Sequence, residues 1–240
     1  MDRRRRRRRI LAAALLVVSA AVGLWMLAHS QLVAIGAVDV EGSTNLDASE
    51  VVEASGIAVG DPLVRLNTAA AVDSLESNPW VAEASVRRSW IDRRVVVQVT
   101  ERVPVAAVAT AAGDGMALVD SSGQVLAVVA DPAGLPVVTG VVPGAPGERL
   151  DPVDRGVIAA AGAIPPGLAT RVDAVTPGVN GRIELVLDDG AVVLFGGVED
   201  LGTKIRTIQT VLATVDLQCV TVIDVAVADT AVLTRGEPCA

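Results

Sequence analysis

Asn78-Pro79-Trp80-Val81-Ala82-Glu83-Ala84-Ser85-Val86-Arg87-Arg88, followed by Arg94-Val95-Val96-Val97-Gln98-Val99-Thr100-Glu101, is the stretch on which the fold turns. Asn78-Pro79 closes the helix before it, because proline disfavours helical backbone in the residue ahead of it and has no N–H to donate. The two runs that follow are rich in valine, and β-branched side chains suit a pleated strand. They predict strands at Val81–Arg88 and Arg94–Glu101, separated by Ser89–Arg93.

Towards the amino end, Thr68–Ser77 reads as a short helix capped by Asn67 or Thr68, and Gly60-Asp61-Pro62 as a turn. Asp47-Ala48-Ser49-Glu50 resembles a capping box, with its carboxylates at the positive end of a second helix. Gly56 suits the left-handed position that stops that helix. Val38-Asp39-Val40-Glu41-Gly42 alternates apolar and acidic residues, as a strand ending in a turn does. The order is β-α-α-β-β between about Ala37 and Glu101.

Further upstream, seven arginines, Arg3, Arg4, Arg5, Arg6, Arg7, Arg8 and Arg9, run into nineteen residues without a charge, Ile10–Ala28. A membrane-crossing helix needs roughly 20 apolar residues, and its Lys/Arg-rich flank stays in the cytoplasm. The far flank opens with acidic Asp39 and Glu41, so the chain should cross once with its amino end inside. A cleaved secretory signal is the alternative, but its apolar core is usually about 7–15 residues. Trp25 falls near the outer end of the apolar run, where indole rings favour the interface.

Removing that segment changes the charge. The chain holds 20 Lys and Arg against 28 Asp and Glu; outside Arg3–Arg9 and Asp2 this leaves 13 against 27, a net charge of −14. Phosphate backbones require cationic partners, so the external part is a poor candidate for nucleic acid. There is no tyrosine and one phenylalanine, Phe195, so small aliphatic side chains must build the core.

Beyond Glu101-Arg102-Val103-Pro104-Val105-Ala106, the chain reads as mostly strand. Pro104 cannot donate to a central ladder and suits a strand end or hinge. Ser121-Ser122-Gly123 and Asp188-Asp189-Gly190 are turn signatures between apolar runs. Asp131–Gly147 reads as loop interrupted by Leu135–Thr139, and Asp151-Pro152 opens a helix to about Gly162. Leu201, Ile205, Ile208, Leu212 and Val215 share one face of a helix over Asp200–Val215. Val220–Val227 and Ala231–Thr234 are the last strands. If Ala228-Asp229-Thr230 is a three-residue turn, antiparallel pairing sets Cys219 opposite Cys239. A bridge there, in an oxidising exterior, would close the hairpin.

Catalytic chemistry finds little support. Gly197–Lys204 has the glycine spacing of a phosphate-binding loop, but Thr203 and Lys204 are transposed relative to that motif. Lys204 instead borders the core or pairs with Glu199 or Asp200. The one histidine, His29, adjoins the apolar segment and offers no triad. Two cysteines without further soft ligands make no metal site. No cofactor and no small-molecule substrate is indicated.

Taken in order, these pieces resemble the FtsQ/DivIB family of bacterial cell-division proteins. Pro79–Arg88, the strand from Val95, and the Glu101-Arg102-x-Pro104-x-Ala106 junction carry the resemblance. Leu118-Val119-Asp120 with Gly123, Leu135-Pro136, Asp189-Gly190, Lys204 and Ile223-Asp224-Val225 extend it. Members usually have Trp-Pro between the strands, where this chain has Trp90-Ile91. The resemblance implies an α+β fold: a cytoplasmic basic segment at 1–9, a transmembrane helix at 10–29, a POTRA domain at 37–103 and an FtsQ-type, mostly antiparallel β domain with two helices at 104–240. It implies a non-catalytic scaffold in the cell membrane at the division septum, controlling septal peptidoglycan synthesis. It also implies that FtsB- and FtsL-type coiled-coil partners bind by strand addition at Thr230, Ala231, Val232, Leu233, Thr234 and Arg235. An exposed edge strand leaves unpaired backbone groups that an extended partner can satisfy. A POTRA-bearing accessory of polypeptide export is the alternative, and a membrane-tethered cell-wall hydrolase a third.

Overall fold

The computed structural model describes residues 2–28, 34–110, 113, 115–132 and 134–237, the first stretch with side chains at 11–23, 25 and 26. Helix α1 spans Asp2–Ala28, so the arginine run and the apolar run form one continuous helix. The side chains of Arg3–Arg9, and all of His29, lie outside the described residues. Among the described residues no helix is long and apolar enough to cross a membrane; the unbroken run of described side chains in α1 is Leu11–Gly23, which carries no charge.

The chain divides into two compact units, Met1–Glu101 and Arg102–Ala240. The division falls just ahead of the Pro104 start expected for the second domain.

Beyond α1, the first unit runs β1 (Ala37–Glu41), α2 (Ala48–Ser55), a 3-10 turn at Leu63–Arg65, α3 (Thr68–Glu76), β2 (Val81–Ser89) and β3 (Arg94–Glu101). The β-α-α-β-β order is the one the sequence predicts. β3 lies between β1, which it pairs in parallel, and β2, which it pairs antiparallel. Parallel pairing needs a long crossover, and α2 and α3 supply it. Val95, Val97 and Val99 recur at the strand period of two and are buried with Ile35, Leu63 and Leu75. Gly56 takes the expected left-handed φ of 66° and closes α2 onto the Glu53 carbonyl. Asn67 caps α3 by accepting from Ala70 N–H. The expected capping role of Asp47 is corrected: it occupies the cap position with no side-chain cap bond.

The second unit is one nine-stranded sheet in the order β12-β11-β10-β9-β8-β7-β4-β5-β6. Its strands are β4 (Pro104–Ala109), β5 (Met116–Asp120), β6 (Val125–Val129), β7 (Val137–Val138), β8 (Val172–Pro177), β9 (Ile183–Leu187), β10 (Val192–Gly196), β11 (Val220–Asp224) and β12 (Val232–Arg235). Most neighbours pair antiparallel, but β4–β7, β7–β8 and β10–β11 are parallel.

Among the described residues three helices, rather than two, accompany the sheet: α4 (Arg155–Ala163), α5 (Pro166–Ala169) and α6 (Leu201–Thr214). α5 opens at Pro166 behind an N-cap Pro165, positions where a first helical turn tolerates the missing N–H. The helix expected from Asp151 opens instead as a 3-10 turn, Pro152–Asp154. β8 has no counterpart in the sequence reading, because Asp173 and Pro177 mask its short apolar alternation. The predicted face of α6 is the buried one, with Ile205 and Ile208 in the core and Leu201, Leu212 and Val215 against it.

Phe195, the one phenylalanine, is fully buried in that core among valines and leucines. Lys204 is 2% exposed; its Nζ donates to Gly197 O at 2.9 Å and sits 5.3 Å from the Phe195 ring centre. Its partners are thus a carbonyl and an aromatic face, and not Glu199 or Asp200. Truncation of Phe195 to alanine is expected to cost about 3–5 kcal/mol, the usual range for a buried aromatic. Urea unfolding of wild type and Phe195→Ala checks it, with a loss under about 1 kcal/mol contradicting the placement.

Candidate docking edge and junction

β12 is the end strand of the large sheet. Among the described residues it pairs only with β11, antiparallel, with Val222 opposite Thr234, Ile223 opposite Leu233 and Asp224 opposite Val232. Among the described residues no backbone hydrogen bond reaches its outer edge. Val232 is 59% exposed, whereas Leu233 packs against the core. The strand lies one residue beyond the expected Ala231–Thr234, so of the six residues expected to bind a partner Thr230 and Ala231 precede it, and Thr230 N–H bonds back to Val227 O at 3.3 Å.

The register also corrects the three-residue turn. Asp224 pairs with Val232, so the connection is longer than three residues and holds Asp229 at φ 61°, and a bulge between Val220 and Val222 shifts the ladder. Cys219, itself at φ 60°, therefore meets Gly236, whose N–H donates to the Cys219 carbonyl at 2.8 Å. No free cysteine occurs among the described residues, and Cys239 lies outside them. Arg235 reaches across β11 to the Asp216 carbonyl at 3.3 Å.

The opposite end of the sheet is covered in part. Val125 N–H donates to Glu148 O at 2.9 Å, Gly147 N–H to Val125 O at 2.8 Å, and Leu150 N–H to Gly123 O at 2.8 Å. The segment Gly147–Leu150 thus straps the start of β6 and leaves its latter half open.

The Glu101-Arg102 junction holds two adjacent charges, each used within its own unit. Glu101 accepts from the backbone N–H groups of Thr44, Asn45 and Leu46 at 2.7–3.0 Å and from the Asn45 side chain. Those donors precede α2, so Glu101 satisfies the loop where Asp47 does not. Partial burial alone would raise its pKa, but the bonds from Leu46, Thr44 and Asn45 outweigh it and hold the carboxyl at about 2.

Arg102 pairs with Asp120 at 2.9 Å. Asp120 also accepts from Ser122 N–H and Oγ and from Gln124 N–H, so one carboxylate organises the β5–β6 turn. Burial pushes its pKa up; the Gln124 and Ser122 bonds and Arg102 bring it below the ordinary value. Arg102 Nε is buried without a hydrogen-bond partner. Pro104 opens β4, where a strand tolerates the missing N–H. Asp188 and Asp189 occupy the predicted hairpin turn and face Arg171 at 3.5 and 3.6 Å. The donors to Glu101 are not visible in local spacing, since they lie 55–57 residues upstream.

Two family models match the chain. The FtsQ-type POTRA domain covers residues 33–102, and the C-terminal region of cell division protein FtsQ/DivIB covers 107–226. Relatives called cell division protein FtsQ include that of Corynebacterium glutamicum, 28% identical over 181 residues, which covers 75% of this chain and 79% of that one. The protein of Mycobacteroides abscessus is 31% identical over 185 residues, covering 77% of this chain and 57% of its own length. That of Streptomyces collinus is 33% identical over 200 residues, covering 80% and 75%. The chain therefore spans little more than half of the Mycobacteroides protein.

The Glu101 network has a pH signature. Its folded pKa lies below the usual 4.5, so its contribution is complete above about pH 4.5 and is lost as pH falls from there towards about 2. The stability difference between wild type and Glu101→Gln, followed by urea midpoints, should be flat above pH 5 and shrink steadily below 4.5. A pH-independent difference would contradict the network.

Proposed function

This chain belongs to the FtsQ/DivIB family of cell-division proteins, and from that premise we propose that it is a membrane-anchored, non-catalytic scaffold of the division machinery. It captures FtsB- and FtsL-type bitopic partners by β-strand addition along Val232–Arg235 and helps control septal peptidoglycan synthesis. The supporting observation is the outer edge of β12, which no described residue pairs, in contrast with the strapped start of β6. An incoming strand would gain the unpaired backbone groups of β12, and exposed Val232 would add side-chain selectivity.

Anchoring is supported by α1. Leu11, Leu15, Leu16, Val17, Val18, Val22, Trp25 and Met26 are all at least half exposed, and such an apolar surface requires a cover. The nineteen uncharged residues Ile10–Ala28 match a bilayer's hydrocarbon thickness, and Arg3–Arg9 fix the amino end in the cytoplasm. The units after α1 then lie outside the cell.

Val232→Asp should lower co-purification of the coiled-coil partner from membranes by at least tenfold. Val128→Asp, on the other edge strand, should leave it unchanged, with circular dichroism of both variants native. Undiminished capture by Val232→Asp would sink the edge assignment. A bridge between Cys219 and Cys239 completes the reading, fastening the segment after β12. Maleimide should then label the denatured chain only after reductant, and labelling without it would refute the bridge.

A further inference from the structure

The tip of the β2–β3 hairpin, Ser89–Arg93, plays no part in the sheet edges or the junction, yet it exposes two large apolar side chains. Trp90 is 51% exposed and Ile91 95%. Turn tips are ordinarily polar, and adjacent exposed aromatic and aliphatic residues mark an interaction site. Four arginines, Arg87, Arg88, Arg93 and Arg94, stand within eight residues of sequence, with Asp92 as the one acid among them. Arg88 lies 6.0 Å from the Trp90 ring centre and donates to Leu66 O at 2.7 Å, while Arg94 is taken up by Asp39. With Asp39 offsetting Arg94, a local net charge of +2 remains and interrupts a sequence after α1 that is otherwise strongly acidic.

The position of the tip says what it meets. β1 is parallel to β3, so the start of β1 lies beside the start of β3: Ala37 pairs with Arg94, and Gly36 N–H donates to Arg93 O at 2.7 Å. The loop bearing exposed Val59 and Val64 is tied to the same entry strand. Gly60 N–H bonds to Ile35 O, and Ile35 N–H to Asp61 O, both at 2.8 Å. The hairpin tip therefore sits at the end of the unit where the chain arrives from α1. Six residue steps separate Ala28 from Ala34, so Ala34 stays within roughly 20 Å of the end of α1.

We propose that this tip is a lipid-contacting element: Trp90 and Ile91 seat at the headgroup–acyl boundary of the bilayer that α1 crosses, and the surrounding arginines hold anionic phospholipid headgroups. The proposal rests on the anchoring part of the function proposed above. Tryptophan is suited to that boundary because its ring is apolar and its N–H finds a polar partner there. Arginine stems lie along apolar surface while the guanidinium reaches phosphate. A tether alone leaves the unit free to swivel; a second contact beside the entry strand fixes its tilt and height.

Bromolipid quenching in the full-length chain tests this. One variant keeps only Trp90 (Trp25→Phe, Trp80→Phe), and another only Trp25 (Trp80→Phe, Trp90→Phe). Both are reconstituted into phosphatidylcholine vesicles, with or without phosphatidylglycerol, whose acyl chains are brominated close to the headgroup. Trp90 emission should fall at least twofold in vesicles containing phosphatidylglycerol, and the quenching should weaken at least twofold when that lipid is omitted. Quenching of Trp25 with none at Trp90 overturns this proposal and leaves the anchor standing. Silence at both tryptophans overturns the anchor and this proposal with it. Quenching of Trp90 that ignores phosphatidylglycerol overturns the role given to the arginines.

Discussion

An open sheet must end twice, and at each end a row of backbone N–H and C=O groups needs a partner or water. The nine-stranded sheet meets this constraint differently at its two edges. At β6 the chain returns on itself, and Gly147–Leu150 takes up Gly123 and Val125. At β12 no described residue does so. The contrast follows from connectivity. α6 carries the chain from β10 to a parallel β11, which makes β12 the outer arm of the final hairpin. Leu233 holds that arm to the core and Val232 stays outside. The strand is thus secured by one face while its edge is left for pairing.

The junction obeys a related economy. Successive side chains of an extended segment point to opposite sides. Glu101 and Arg102 are adjacent, yet Glu101 gathers three N–H groups ahead of α2 and Arg102 meets the carboxylate that shapes the β5–β6 turn. Each charge is spent inside its own unit. The Glu-Arg pair closes one ladder and begins the next, and proline two residues later costs nothing because β4 starts there.

What could be read from sequence is what depends on period. The valines of β3, the face of α6 and the helix stop at Gly56 follow from local spacing, and the α+β order is legible from them. What could not be read depends on distant partners or on single backbone angles. Glu101 was legible as a motif but not as an acceptor for residues 44–46. The last hairpin was expected to pair through a three-residue turn; a longer connection between Asp224 and Val232 and one bulge move the ladder, so Gly236 stands opposite Cys219. β8 and α5 escaped because proline and a polar alternation conceal elements that the neighbouring core stabilises. Spacing alone leaves Lys204 at the core or beside Glu199 and Asp200, and only the fold reveals that it is spent on the Gly197 carbonyl above Phe195.

Charge connects the two proposed surfaces. The sequence after α1, with 27 acids against 13 bases, is repelled by anionic phospholipid unless some part of it carries the opposite sign. In the first unit that part is the hairpin tip, and parallel pairing of β1 with β3 puts it where the chain enters. The arginines there would be a liability elsewhere in a core-forming sheet, since buried cations need partners. At a turn their heads stay in water or meet phosphate. The topology that demands a helical crossover therefore also decides which end of the unit can tolerate, and use, an exposed tryptophan ringed by arginine.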